Sequence, residues 1–131
     1  MLYININNKK TNVIFGDKTY KIFGEDTIKD NILGIDFFIS PLSFYQVNPV
    51  QTELLYQKAI QFAHLTGKEK VIDAYCGTGT IGIIASDYCK EVIGVEINES
   101  AVSDARINAM QNNCDNITFV SGDSGVFMKE M

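Results

Sequence analysis

The chain has 131 residues, 46 % of them hydrophobic and 21 % charged. That is one domain of ordinary globular composition, and it excludes a disordered or fibrous chain. Eleven Lys and Arg against 16 Asp and Glu leave a net charge of −5, the opposite of the basic surplus of a free-standing nucleic-acid binder. The imbalance is local: residues 1–50 carry five lysines and five acids, whereas residues 51–131 carry six basic and 11 acidic side chains. No apolar run approaches the roughly 18 residues of a membrane span. The opening Met1-Leu2-Tyr3-Ile4-Asn5 lacks the basic and apolar regions of a signal peptide. Cys76, Cys89 and Cys114 form no CxxC pair and have no histidine cluster beside them. Neither a disulfide framework nor a metal site is expected, and a reducing cytoplasm is the default compartment.

Residues 1–45 read as a small β-rich segment. Leu2, Ile4 and Ile6 alternate with Tyr3 and Asn5, a period of two. Asn7 to Lys10 break the pattern. Thr11 to Phe15 then predict a second strand, Gly16-Asp17 a tight hairpin turn, and Thr19 to Phe23 a third strand. Residues 24–34 read as a loop, with room for a turn of helix between Thr27 and Leu33. Ile35, Phe37 and Ile39 alternate again and stop at Ser40-Pro41. The segment is a meander with one apolar face, too short to be comfortable alone.

From residue 46 the period changes. Asn48-Pro49 is a helix start, with Gln51 where a capping-box partner belongs. Leu55, Ala59, Phe62 and Ala63 supply a helical stripe, and Gly67 stops the helix. Val71 to Tyr75 predict a buried strand, 80–88 a helix, Val92 to Glu96 a strand, 99–112 a helix packed through Val102, Ala105 and Ala109, and Ile117 to Val120 a strand. Alternating strands and helices predict an α/β fold with a parallel sheet in the order 3-2-1, one half of a doubly wound, Rossmann-like sheet. The division is therefore 1–45 and 46–131. The chain reads as stopping in the next crossover helix, and its first parallel strand as an open edge that invites self-association.

Gly77, Gly79 and Gly82 satisfy G-x-G-x-x-G between a strand and a helix. Glycine permits the tight turn and close approach of a ligand to the backbone, and the helix N-terminus behind it carries free N–H groups. Glu96 ends the next strand, 19 residues after Gly77, where a carboxylate can accept both hydroxyls of an adenosine ribose. The plainer alternative is a tight turn followed by a surface glutamate. Asp73 precedes the loop. It would repel a pyrophosphate and attract the sulfonium and ammonium groups of S-adenosylmethionine, which favours that cofactor over NAD; capping the loop's own N–H groups is its other role. Asp123 follows the third strand and either accepts the adenine amino group or caps a helix opening at Ser124.

Ser40-Pro41-Leu42-Ser43-Phe44-Tyr45-Gln46-Val47-Asn48-Pro49, with Asp73 to Thr80 and Val95-Glu96, resembles the RNA uracil-5-methyltransferases, nearest to the branch acting on 23S rRNA. The likeness runs from about Asn5 to Asp123, and the Phe-Tyr-Gln-Val-Asn-Pro block is its specific part. The resemblance implies a class I methyltransferase sheet and S-adenosylmethionine contacts at Gln46, Tyr75, Thr80, Glu96 and Asp123, with Gly77 and Gly79 forming the loop. It implies that Tyr75 packs near the methionine half and Thr80 hydrogen-bonds its end. Phe44 and Gln46 would face a uracil flipped out of the RNA stack; read without the resemblance, Phe44 is a core aromatic.

The family's chemistry uses a cysteine that adds to uracil C6 and a carboxylate that removes the C5 proton. The blocks that carry them do not occur here, and Cys76, Cys89 and Cys114 read as small packing residues. No catalytic residue is therefore expected in this chain, which resembles the middle of a larger enzyme that methylates C5 of a uridine in RNA. Two alternatives stay open: a class I methyltransferase acting on a protein or small molecule, and a non-catalytic binding piece.

Overall fold

A computed structural model describes residues 1–131. Strands β1 (Leu2–Ile6) and β2 (Lys18–Phe23) form an antiparallel ribbon. Strands β3 (Ile28–Ile32) and β4 (Ile35–Ile39) form a second one. Helix α1 (Pro49–Ala63) leads into a parallel layer: β5 (Lys70–Ala74), α2 (Thr80–Ser86), β6 (Glu91–Glu96), α3 (Glu99–Gln111), β7 (Ile117–Ser121) and α4 (Ser124–Glu130). The strand order β5-β6-β7 is the expected one, and β5 is an edge.

The first 45 residues depart from the sequence reading in three ways. Residues 11–15 form no strand, so the Gly16-Asp17 hairpin is absent and β2 pairs with β1 instead. The cause is local: Asn5 exchanges side-chain hydrogen bonds with the Gly16 N–H and carbonyl at 2.8 and 3.0 Å, and Asn7 donates to the carbonyls of Val13 and Ile14. Asparagine side chains that bond backbone compete with a ladder. Second, 24–34 contains β3 rather than a loop or a helical turn. It is joined to β4 by a two-residue turn in which Leu33 and Gly34 both have positive φ, 53° and 82°, as a type I′ hairpin requires. Asn31 accepts from Gly34 N–H, and Glu53 of α1 accepts from Leu33 N–H at 2.9 Å, which offsets the strain of leucine in that region. Third, the strands make two separate pairs, not one meander.

Helix α1 starts as expected: the Asn48 side chain accepts from Gln51 N–H, with Pro49 in the first turn. It ends at Ala63 with His64 left-handed (φ 48°), three residues before Gly67. Its buried face is Thr52 and Tyr56, not the expected stripe; Leu55 and Phe62 are exposed.

The main core joins both parts of the chain. Ile32, Phe37 and Ile39 of the second ribbon pack with Tyr56, Ile83, Ile84, Val102, Ala105 and Phe119. Buried Asn108 makes this junction specific. Its Oδ1 accepts from Phe38 N–H at 2.7 Å, and its Nδ2 donates to the carbonyls of Phe38 and Thr78 at 3.1 and 3.2 Å. The change of sequence character near residue 45 is thus no break in the packing. No helix is long and apolar enough to cross a membrane.

Candidate functional site

The glycine loop is shaped by what lies beneath it. A Cβ on Gly79 would come within 2.7 Å of the Phe119 ring, and one on Gly94 within 2.5 Å. Phe119 of β7 therefore fills the floor under both positions. A Cβ on Gly82 would meet Asp73 Oδ2 at 2.8 Å, so the third glycine admits that carboxylate, which accepts from Gly82 N–H at 3.0 Å. Gly77 differs: its φ is 55° and the space beside it is open. It lines the cleft beside the loop.

Beside the loop is a cleft of about 120 Å³. Of the residues singled out from sequence, it is lined by Phe44, Gln46, Asp73, Tyr75, Cys76, Gly77 and Thr80. The Phe-Tyr-Gln block and the glycine loop, nearly 30 residues apart in the chain, thus face one another. Phe44 is 75 % exposed and Tyr75 71 % exposed; Phe44 stands at the mouth instead of filling the core. Tyr75 is also left-handed, with φ 62°, a conformation that is an outlier for a bulky residue and persists only when its surroundings impose it. Those surroundings are visible. Tyr75 N–H donates to the hydroxyl of buried Ser124, and the next residue, Cys76, donates its N–H to the Val95 carbonyl.

Three assigned residues lie elsewhere. Gly79 caps α2 within the loop, against the Phe119 ring and away from the cleft. Glu96 ends β6 and is tied to the loop: its Oε2 accepts from Gly77 N–H at 3.0 Å and its Oε1 from Asn98 N–H at 2.9 Å. Each oxygen keeps a lone pair for a further donor. Asp123 is the N-cap of α4, accepting from Val126 N–H at 2.8 Å; its second oxygen remains for another partner.

Four further lining residues, Tyr45, Tyr56, Thr78 and Ile81, were not anticipated. Tyr45 and Thr78 lie inside the two motif stretches without a role of their own, and Tyr56 left a spacing of four from Thr52 on one helical face. The Tyr56 hydroxyl lies 3.1 Å from that of Thr80, so the first residue of α2 is held from α1. The Tyr45 hydroxyl is buried without a partner.

Electrostatics separate the groups. Burial pushes Asp73 up to about 6, against the lowering effect of the Gly82 N–H, and nearby Glu96 raises it further. Burial pushes the Cys76 thiol up to about 12, aided by Asp73 and Glu96, which leaves it a poor source of thiolate. Burial raises Cys89 too. No three His, Cys, Asp or Glu side chains gather where a metal could be held.

A family model described as a methyltransferase domain matches residues 65–130. A Listeria innocua protein named as an uncharacterized RNA methyltransferase is 58 % identical over 118 residues, 90 % of this chain and 26 % of that protein. A similarly named Clostridium tetani protein is 49 % identical over 127 residues, 97 % of this chain and 28 % of that protein. The chain thus spans about a quarter of the length of these relatives. Among solved structures, the Pyrococcus abyssi tRNA (uracil-54, C5)-methyltransferase in complex with S-adenosyl-L-homocysteine superposes with a TM-score of 0.75 and 32 % identity, over 92 % of this chain and 30 % of that one. With just over half of the chain matched by the domain model, and with relatives named as RNA methyltransferases, the chain belongs to the methyltransferase-domain family.

Proposed function

We propose that this chain is the donor-binding part of an S-adenosylmethionine-dependent RNA methyltransferase, and that its parent acts on C5 of a uridine, in 23S rRNA. The observation that carries the reading is the shared cleft: Phe44 and Gln46 open onto the same space as Asp73, Tyr75, Gly77 and Thr80. Methyl transfer needs donor and acceptor in near-attack contact, and this arrangement supplies a wall for each.

The residues present fit S-adenosylmethionine. Asp73 offers a negative group to a cationic ligand, whereas a pyrophosphate would meet repulsion. Open space beside Gly77 gives the ligand access to the loop backbone. Glu96, next to that glycine, has lone pairs for ribose hydroxyls. When bound, the cofactor supplies an electrophilic methyl group. Tyr75, exposed and held by its backbone, covers one side of the ligand. Asp123, with one oxygen used as a cap, keeps the other for the adenine amino group. Phe44 stacks on the pyrimidine and Gln46 bonds its edge.

Cys76 and Cys89 do not fit the nucleophile that uracil chemistry requires, since both are buried with raised thiols. RNA is the partner on this reading, cytoplasm the compartment, and β5 the edge through which copies of the isolated chain associate. That association would show as concentration-dependent sedimentation.

Calorimetry tests the cofactor. S-adenosylhomocysteine should bind and NAD should bind at least about tenfold more weakly. Glu96→Ala should weaken S-adenosylhomocysteine by about 1.5–3 kcal/mol, the worth of a hydrogen bond to a charged group. Tighter binding of NAD, or no effect of Glu96→Ala, would reverse the assignment. With S-adenosylhomocysteine bound, fluorescence anisotropy on an RNA hairpin carrying an unpaired uridine, against its cytidine counterpart, tests the base. Equal affinity for the two would remove uridine from the proposal.

A further inference from the structure

The segment from Ser40 to Asn48 has no regular secondary structure. Its one internal backbone hydrogen bond runs from Ser43 N–H to the Ser40 carbonyl. No strand ladder or helix therefore orients Phe44 and Gln46, yet both line the cleft. What holds the segment is on α3. Asp104 is 5 % exposed and has no cationic partner among the ion pairs. Its carboxylate accepts from Ser40 N–H at 2.9 Å, from the Ser43 hydroxyl at 2.8 Å and from the Ser40 hydroxyl. A buried carboxylate without a countercharge is costly unless such donors surround it, so the three donors and the acid hold one another in place.

One turn further along, Asn108 grips both polar groups of Phe38 and the Thr78 carbonyl of the glycine loop. Asp104 and Asn108 are four residues apart and share a helix face. One face of α3 therefore registers the segment that opens onto the acceptor side against the loop that opens onto the donor side.

We propose that Asp104 is a positioning residue that acts through Ser40 and Ser43 to aim Phe44 and Gln46 into the cleft. The proposal deepens the functional reading above and rests on it for what the cleft binds. Asp104 touches no cleft ligand, so its role shows in the placement of residue 44 more than in cofactor affinity.

The chain contains no tryptophan, so Phe44→Trp introduces a single reporter at the site. In that background, Asp104→Asn places an amide N–H₂ among donors and should release the segment. Acrylamide quenching of the reporter should rise severalfold, and the emission change on adding S-adenosylhomocysteine should be lost. Affinity for that ligand should fall by less than about tenfold, since Gln46 is the one assigned cofactor contact on the released segment. Ser43→Ala removes one donor without touching the acid and should give part of both changes; Ser43→Thr, which keeps the hydroxyl, should restore them. Ser43→Ala decides the matter if Asp104→Asn fails to fold. Unchanged quenching in folded Asp104→Asn or in Ser43→Ala would overturn the proposal. Absence of any S-adenosylhomocysteine binding in the Phe44→Trp protein and the unsubstituted chain would instead overturn the cofactor reading, and quenching would still decide whether Asp104 places residue 44.

Discussion

Residues 1–31 contain no buried side chain, whereas every buried residue lies between Ile32 and Ser124. The β1–β2 ribbon has the alternation of a core strand, but Leu2, Ile4 and Ile6, with Tyr20 paired across from Ile4, all face solvent. Side-chain bonds from Asn5 and Asn7 and the surface ion pairs Lys9–Asp17 and Lys21–Asp26 hold it, and exposed pairs contribute little. The parallel layer has ladders on β6 from both sides and helices over them. Apolar periodicity is the same signal in both regions; it becomes stability only where a second layer covers it.

That contrast can be broken at its strong end first. Phe119→Ala should cost about 3–5 kcal/mol, as for other buried aromatics. It removes the floor under Gly79 and Gly94. A urea midpoint shift together with loss of S-adenosylhomocysteine binding would show that the core and the loop are one unit; intact binding would separate them.

Asp73 gives an intermediate effect with a definite pH signature. Its folded-state value of about 6 lies above the ordinary 3.8, so the folded state retains the proton between those values. Stability is therefore lost as pH rises from about 4 through 6, and the penalty, roughly 3 kcal/mol, is complete above that. Asp73→Asn should abolish this slope, measured as urea midpoints at pH 4.5 and 7. A cationic ligand reverses the preference: its binding near pH 6 should release a proton, seen as a buffer-dependent calorimetric enthalpy, and the variant should lose that release.

The smallest change is expected in the ribbon. Ile4→Ser replaces an exposed apolar side chain and should move stability by no more than about 0.5 kcal/mol. A larger loss would mean that the ribbon's apolar face is covered in solution.

The parallel layer was legible because its signals are local and agree. Asn48 and Pro49 mark a helix start, and G-x-G-x-x-G sits between a strand and a helix. Asp73, Asp123 and Glu96 are chemically informative wherever they fold. The misread parts had conflicting or hidden signals. Val13-Ile14-Phe15 has strand propensity, but Asn7, which captures the Val13 and Ile14 carbonyls, lies six and seven residues away, and Asn5, which holds the following Gly16, eleven. Leu33-Gly34 is an unusual type I′ turn, stabilised by Glu53 on another element. Leu55 and Phe62 match a helical period, but which face of α1 is buried depends on where β3 and α2 stand.

Residue order alone determined the alternation of strand and helix, the loop's need for glycine and the acidic character around it, because these follow from backbone conformation and side-chain charge. Tertiary structure decided that Phe44 and Gln46 meet the loop, that Asp104 and Asn108 brace the two sides, and that Asp73 titrates near 6. Each depends on groups distant in the chain being brought together and sheltered from water, and periodicity and propensity carry no record of those distances.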